Sequence, residues 1–225
     1  MAEWFKAAAA VAVLAAVPAR AQEHDGQLWQ SATATQALSA RLDVTMEAHT
    51  RLTDDVSRLG QLLLRPSVTV KLPDGFTATA GYAYVRTDFR SGRPNEEHRG
   101  WQQLGYRFFE RSGVRLTGRS RLEQRFRVGA ADDIGWRWRQ QVRLHAPLQS
   151  GGKVAALVWN ETFVQLNATR WGARSGIDQI RTFVGASVPL AGQVAVEPGY
   201  LNQTVFRTGS DRVNHVGLVA LVARL

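Results

Sequence analysis

From Val114 to Val128 the chain alternates without interruption. Arg115, Thr117, Arg119, Arg121, Glu123, Arg125 and Arg127 share one parity, and Val114, Leu116, Gly118, Ser120, Leu122, Gln124, Phe126 and Val128 share the other. A period of two puts successive side chains on opposite faces of a β-strand, so one face is a charged ladder and the other is mostly apolar. At about 3.3 Å per residue the segment reaches roughly 45 Å, long for a globular strand and ample for a tilted membrane crossing.

The pattern recurs along the chain. Arg41–His49 sets Leu42, Val44, Met46 and Ala48 against Asp43, Thr45, Glu47 and His49. Leu62–Leu72 is a more continuously apolar strand, and Phe76–Val85 groups Phe76, Ala78, Ala80, Tyr82 and Tyr84. Glu97–Phe109 opposes Glu97, Arg99, Gln103 and Arg107 to Gln102, Leu104, Tyr106 and Phe108. Trp136–Ala146 opposes Trp136, Trp138, Val142 and Leu144 to Arg137, Arg139, Gln141, Arg143 and His145. Val154–Leu166, Gln179–Val188, Val194–Val205 and Val213–Leu225 complete the set, with Glu161, Arg181 and Glu197 on polar parities. Turns at Pro73, Ser112, Ser150 and Ala191 are short, whereas Arg90–Asn95, Gly129–Asp133, Trp171–Gly176 and Thr208–Asp211 are longer and polar.

Short turns on one rim, longer loops on the other, and aromatic residues on the apolar parity are features of outer-membrane barrels. The expected fold is therefore all-β, an antiparallel up-and-down transmembrane barrel with an apolar outside and an arginine-rich polar lumen. Counting Leu28–Gln36 gives eleven segments, but bacterial single-chain barrels have even strand numbers. Ten wall strands are expected, with twelve as the alternative and 22–37 as a periplasmic or plug segment.

The start of the chain bears on the compartment. A weakly basic Met1–Lys6 precedes the apolar run Ala7–Val17, Pro18 breaks it, and Ala19-Arg20-Ala21 has the small-x-small form of a signal-peptidase site. That run is too short for a transmembrane helix and suits a secretory signal. The expectation is a cleaved signal over 1–21 and a single barrel domain over 22–225 in the bacterial outer membrane, in contact with lipid and lipopolysaccharide and inserted by the outer-membrane assembly machinery.

Composition sharpens the lumen. The net charge is +9, carried by 25 Arg and only 3 Lys, and there is no Cys. Arginine stays protonated and offers a planar fork of donors, which suits fixed ion-pair networks and anion contact. The residues expected to line the lumen are Arg99, Arg107, Arg115, Arg119, Arg121, Glu123, Arg125, Arg127, Arg137, Arg139, Arg143, Glu161, Arg181 and Glu197. No cofactor, metal site, catalytic set or nucleic-acid partner is indicated. An outward basic face would be needed to bind nucleic acid.

The phrases EHRGWQQLGYRFF (Glu97–Phe109), RSRLEQRFR (Arg119–Arg127), RWRQQVRLHAPL (Arg137–Leu148) and EPGYLNQTVF (Glu197–Phe206), with the early Leu28-Trp29, carry a resemblance. In them the chain resembles the family called domain of unknown function 2490 over most of 27–225. The resemblance implies an exported outer-membrane β-barrel and supplies no catalytic residue.

Several function classes fit these features. Arg–carboxylate pairs could fill a small barrel as structure. The excess of inward cations could instead make a narrow anion-preferring pore, or a cavity for an anionic small solute, since rings of Arg select anions. A rim hydrolase would draw on His49 with Glu47, His98 with Glu97, or His145, none of which has a nucleophile at a committing spacing. A soluble exported β protein binding a polyanion would have to turn the whole arginine set outward. Asp54-Asp55 and Asp132-Asp133 are paired loop acids that could take Ca²⁺.

Overall fold

In the computed structural model, residues 22–149 and 151–225 are described; the expected signal segment 1–21 and Ser150 of the expected turn lie outside them. Eleven strands follow one another: β1 (Gln22–Ala37), β2 (Leu42–Thr53), β3 (Arg58–Lys71), β4 (Thr77–Thr87), β5 (Asn95–Arg111) and β6 (Val114–Arg127). They continue as β7 (Gly135–Pro147), β8 (Ala155–Gln165), β9 (Gly176–Pro189), β10 (Val194–Val205) and β11 (Asp211–Arg224). Each pairs antiparallel with its sequence neighbour, and β1 closes on β11, making a sealed barrel.

The strand number corrects the expectation of ten or twelve. Gln22–Ala37 is part of the wall, not a plug, and an odd meander leaves its first and last strands pointing the same way. The seam is accordingly parallel, running from Gln22 beside Asp211 to Thr35 beside Arg224. Its register sets Gln27 beside Val216 and Trp29 beside Leu218, so inward residues meet inward residues and no side chain changes face across the seam.

The connections divide by rim. On one side lie 38–41, 72–76, 112–113, 148–154 and 190–193; on the other lie 54–57, 88–94, 128–134, 166–175 and 206–210. Most of the longer loops fall on the second rim. The tight 54–57 turn has neither Gly nor Pro, yet Asp54, Asp55 and Val56 all take positive φ. The Asp25 carboxylate holds it by accepting the Asp54 and Asp55 amides at 3.4 and 3.1 Å.

The outer face is apolar, with Leu104, Phe108, Phe126, Trp136, Trp138, Val142, Val158, Val184 and Leu221 among its exposed side chains. The inner face is not uniformly polar. Trp29, Leu157, Phe183, Leu201 and Val216 form a buried cluster on β1 and β8–β11, joined by Trp159 and Leu218. A barrel of eight strands is about filled by its own side chains, so the larger interior of eleven requires this bulk.

Two inward aromatics lie over inward glycines. Phe183 covers the paired Gly185 and Gly199, where an added Cβ would stand 2.5 Å from its ring in either case. Trp101 covers its register partner Gly81, with 2.2 Å left for a Cβ. An added Cβ would also meet backbone, 2.3 Å from the Pro198 carbonyl at Gly185 and 2.9 Å from the Pro66 carbonyl at Gly81. Gly81→Ala and Gly185→Ala should each cost about 1–3 kcal/mol, the usual penalty of overpacking. Urea-unfolding midpoints in detergent would measure it, with Gly217→Ala as the comparison, since a Cβ there would meet Leu28 only at an ordinary 3.5 Å.

Candidate functional site: the arginine layer inside the barrel

Two carboxylates anchor the interior. Glu123 of β6 stands beside Arg137 of β7, and Gln141 of β7 beside Glu161 of β8, because the three strands are consecutive and in register. Arg137 donates Nη2 and Nε to Glu123 Oε2 at 2.6 and 3.0 Å. Arg139 donates Nη1 to Glu123 Oε1 at 2.5 Å and Nη2 to Glu161 Oε1 at 2.8 Å. Arg119 adds a bond to Glu161 Oε1 at 2.9 Å. Glu123, Glu161, Arg137 and Arg139 are all buried. Charges so buried persist only when paired and hydrogen-bonded, a condition that Arg137 and Arg139 meet by bridging two or more acceptors each.

Neighbouring pairs extend the layer. Glu97 accepts Arg99 Nε at 2.9 Å and both Arg125 Nε and Nη2 at 3.1 and 3.0 Å. Glu47 accepts Arg65 Nη2 at 2.5 Å and lies 3.1 Å from His49 Nε2. Arg137 Nη1 reaches Asp178 at 3.3 Å. Nearer the short-turn rim, Arg143 meets Glu197 at 2.6 Å, while Arg107 and Arg115 share the half-exposed Glu110.

Aromatic faces hold further guanidinium groups. Arg121 stacks on Trp101 at 3.8 Å and donates Nε and Nη2 to Gln103. Phe163 is approached by Arg139 and Arg181 at 4.4 and 4.5 Å. Trp29 is approached by both Arg51 at 3.8 Å and Arg181 at 4.9 Å. Stacking on aromatic faces lowers the cost of burying a cation but does not neutralise it.

The layer carries more cations than acids: Arg51, Arg65, Arg99, Arg119, Arg121, Arg125, Arg137, Arg139 and Arg181 against Glu47, Glu97, Glu123, Glu161 and Asp178. Within it is a cavity of about 190 Å³ lined by Arg51, Gln61, Leu63, Arg65, Glu97, Arg99, Arg125, Arg137, Arg139, Phe163, Asp178, Gln179 and Arg181. Two larger cavities toward the long-loop rim share lining residues with it, one through Arg51 and Arg181, the other through Glu97 and Arg125. A third, at the short-turn rim around Arg107, Arg115 and Arg224, shares none. Between that bowl and the upper cavities lie Arg121, Glu123, Arg139, Glu161 and Phe163, each at most 5% exposed.

The mouth on the long-loop side is partly covered. Asp133 accepts the Arg170 guanidinium at 2.8 Å and the Arg170 amide at 2.6 Å, and this cation holds its carboxyl below the usual range. Trp171 Nε1 donates to the Asp133 carbonyl, and Arg127 donates Nη1 to the Trp171 carbonyl at 2.8 Å. The loops 128–134 and 166–175 are thereby stitched together.

A family model described as "Protein of unknown function (DUF2490)" matches residues 26–214, from inside β1 to inside β11. The chain belongs to this family. It is also 39% identical over 204 residues to an uncharacterized protein of Methylorubrum extorquens, an alignment covering 89% of this chain and 88% of that one.

In this DUF2490 barrel the fourteen residues singled out in the sequence separate into levels. Arg99, Arg121, Glu123, Arg125, Arg137, Arg139, Glu161 and Arg181 meet in the central layer, with Arg119 at its lower edge. Arg143 and Glu197 pair below it, Arg107 and Arg115 lie at the short-turn rim, and Arg127 lies under the long loops. Arg51 and Arg65 were not singled out, although both line the central cavity. His98 turns away from Glu97 to the outer face, where it bonds the Tyr82 hydroxyl and packs on Tyr84. The paired loop acids are engaged by arginines: Asp54 by Arg58 and Arg90, Asp133 by Arg170. Among the described residues no group of three or more His, Cys, Asp or Glu is arranged to hold a metal.

Proposed function

We propose that this DUF2490 protein spans the bacterial outer membrane as a closed barrel that does not conduct ions, its ionic layer serving as the structural filling. Short turns would face the periplasm and long loops the exterior, the arrangement usual for such barrels. The apolar outer face supports lipid contact, and the outward polar side chains satisfy one another. Gln102 and Gln124 bond reciprocally at 3.3 and 3.0 Å, and Asn160 donates to Thr182 at 2.9 Å. Mutual satisfaction is what a polar group needs where water is absent. The partners that follow from this location are lipid, lipopolysaccharide and the assembly machinery.

The observation that carries the closed reading is the buried waist of Arg121, Glu123, Arg139, Glu161 and Phe163, which separates the upper cavities from the lower bowl. The specific observation favouring a narrow anion-preferring pore is the surplus of arginine in the same layer. Planar-bilayer recordings of the refolded chain under a KCl gradient decide between them. The expected result is no steady current, with heat-modifiable migration proving that the barrel is folded. Steady anion-selective conductance that falls in Arg121→Ala, Arg125→Ala and Arg139→Ala variants would establish the pore instead.

A further inference from the structure

We propose that the central cavity is a binding site for an oxyanion of the phosphate class, entering from the long-loop rim and held by Arg51 and Arg181. These two arginines differ from their neighbours. Neither has a carboxylate within ion-pair distance among the described residues. Arg51 donates Nη1 to Gln61 Oε1 at 2.7 Å, and Arg181 donates Nη2 to Gln179 Oε1 at 2.9 Å. The remaining contacts of their guanidinium groups include the faces of Trp29, and for Arg181 Phe163. The Nε atoms of Arg51 and of neighbouring Arg65 are buried with no acceptor. Two cations without a carboxylate partner therefore line one enclosed space.

The chemistry of that space selects the ligand. Its lining is mostly guanidinium and amide, which excludes apolar molecules and repels cations. A guanidinium fork matches the paired oxygens of phosphate or carboxylate. Two uncompensated positive charges favour a dianion over a single carboxylate. A volume of about 190 Å³ accommodates a phosphate group with a few waters, each water taking roughly 30 Å³. The larger cavity above, of about 280 Å³, also borders Arg51 and Arg181 and leaves room for the remainder of a phosphomonoester. Arg207 and Arg212 in its lining extend the positive path toward the rim.

The test uses the full chain refolded in detergent, so membrane conductance does not enter the result. Inorganic phosphate is titrated at constant ionic strength against chloride, reading both the thermal-unfolding midpoint and binding heat. Wild type should show a saturable rise in midpoint at millimolar phosphate or below. Arg51→Gln or Arg181→Gln should weaken binding about tenfold, the scale of one charge-assisted hydrogen bond. In phosphate-free chloride both variants should unfold at or above the wild-type midpoint, because each removes an interior cation that has no carboxylate partner. A purely structural role for these arginines predicts the opposite order. Glycerol 1-phosphate separates the sources: tighter binding than inorganic phosphate supports a monoester ligand, weaker binding supports free phosphate. A rise that does not saturate and is equal in wild type and variants is general salting and overturns the site. So do variants that lose equal stability in chloride and in phosphate.

Discussion

Glu123→Gln should lower the unfolding free energy by about 3–5 kcal/mol, the range seen when one partner of a buried ion pair is removed. Glu123 is the shared acceptor of Arg137 and Arg139, and all three are among the buried charges of the interior. The amide keeps one acceptor but offers two donors to groups that are themselves only donors. Arg139 retains Glu161, whereas Arg137 is left with the partly exposed Asp178. The cost therefore falls mainly on Arg137, and a second substitution should relieve it. Glu123→Leu combined with Arg137→Met should recover most of the loss, since apolar residues of similar volume commonly replace a buried pair without penalty. Urea midpoints of the three chains, read at a common slope, measure both effects. A Glu123→Gln chain as stable as wild type would mean that water, not carboxylate, solvates these guanidinium groups.

Trp29→Ala should cost a similar amount, about 3–5 kcal/mol for a buried Trp side chain. Trp29 is 6% exposed, packs in the cluster with Leu157, Phe183, Leu201 and Val216, and bonds Gln27 Oε1 through Nε1 at 2.7 Å. Its other contacts are the stacked guanidinium groups of Arg51 and Arg181, which would lose the apolar surface beneath them. Trp29→Phe should retain most of the stability, keeping an aromatic face while losing the indole donor. The measurement also tests the wall. If β1 were a detachable segment, Trp29→Ala would leave the heat-modifiable core unchanged, whereas a wall strand predicts loss of the compact form at a lower temperature.

The parity of β6 and β7 was legible because nearly every residue obeys it, and those strands carry the densest part of the ionic layer. Strand number was visible too, as eleven dyad segments, but the even-number expectation of the class displaced what the segments themselves said. Arg65 was obscured by its setting in the nearly continuous apolar run Leu62–Leu72, and Arg51 by the turn beside it. The turn that follows β2 is built from Asp54, Asp55 and Val56 at positive φ and held by Asp25, thirty residues upstream of Asp55, so no Gly or Pro marks it. The inward Phe163, Phe183, Leu157 and Leu201 were hidden by strands apolar on both faces. Their role depends on what lies across the barrel, which one strand's pattern does not contain. Ion-pair partners such as Arg143 and Glu197, 54 residues apart, likewise emerge only from closure.

The parallel seam also dictates an order of events. Every other strand finds its partner in the adjacent stretch of chain, so hairpins can add one after another to a growing sheet. β1 waits for β11, whose residues stand some 190 positions away, as His24 and His215 do. Until they meet, the sheet has two raw edges of unpaired amides and carbonyls, each able to template another copy. Closure is unimolecular and edge-to-edge pairing is bimolecular, so crowding of nascent chains, more than any loss of contacts, decides which product forms.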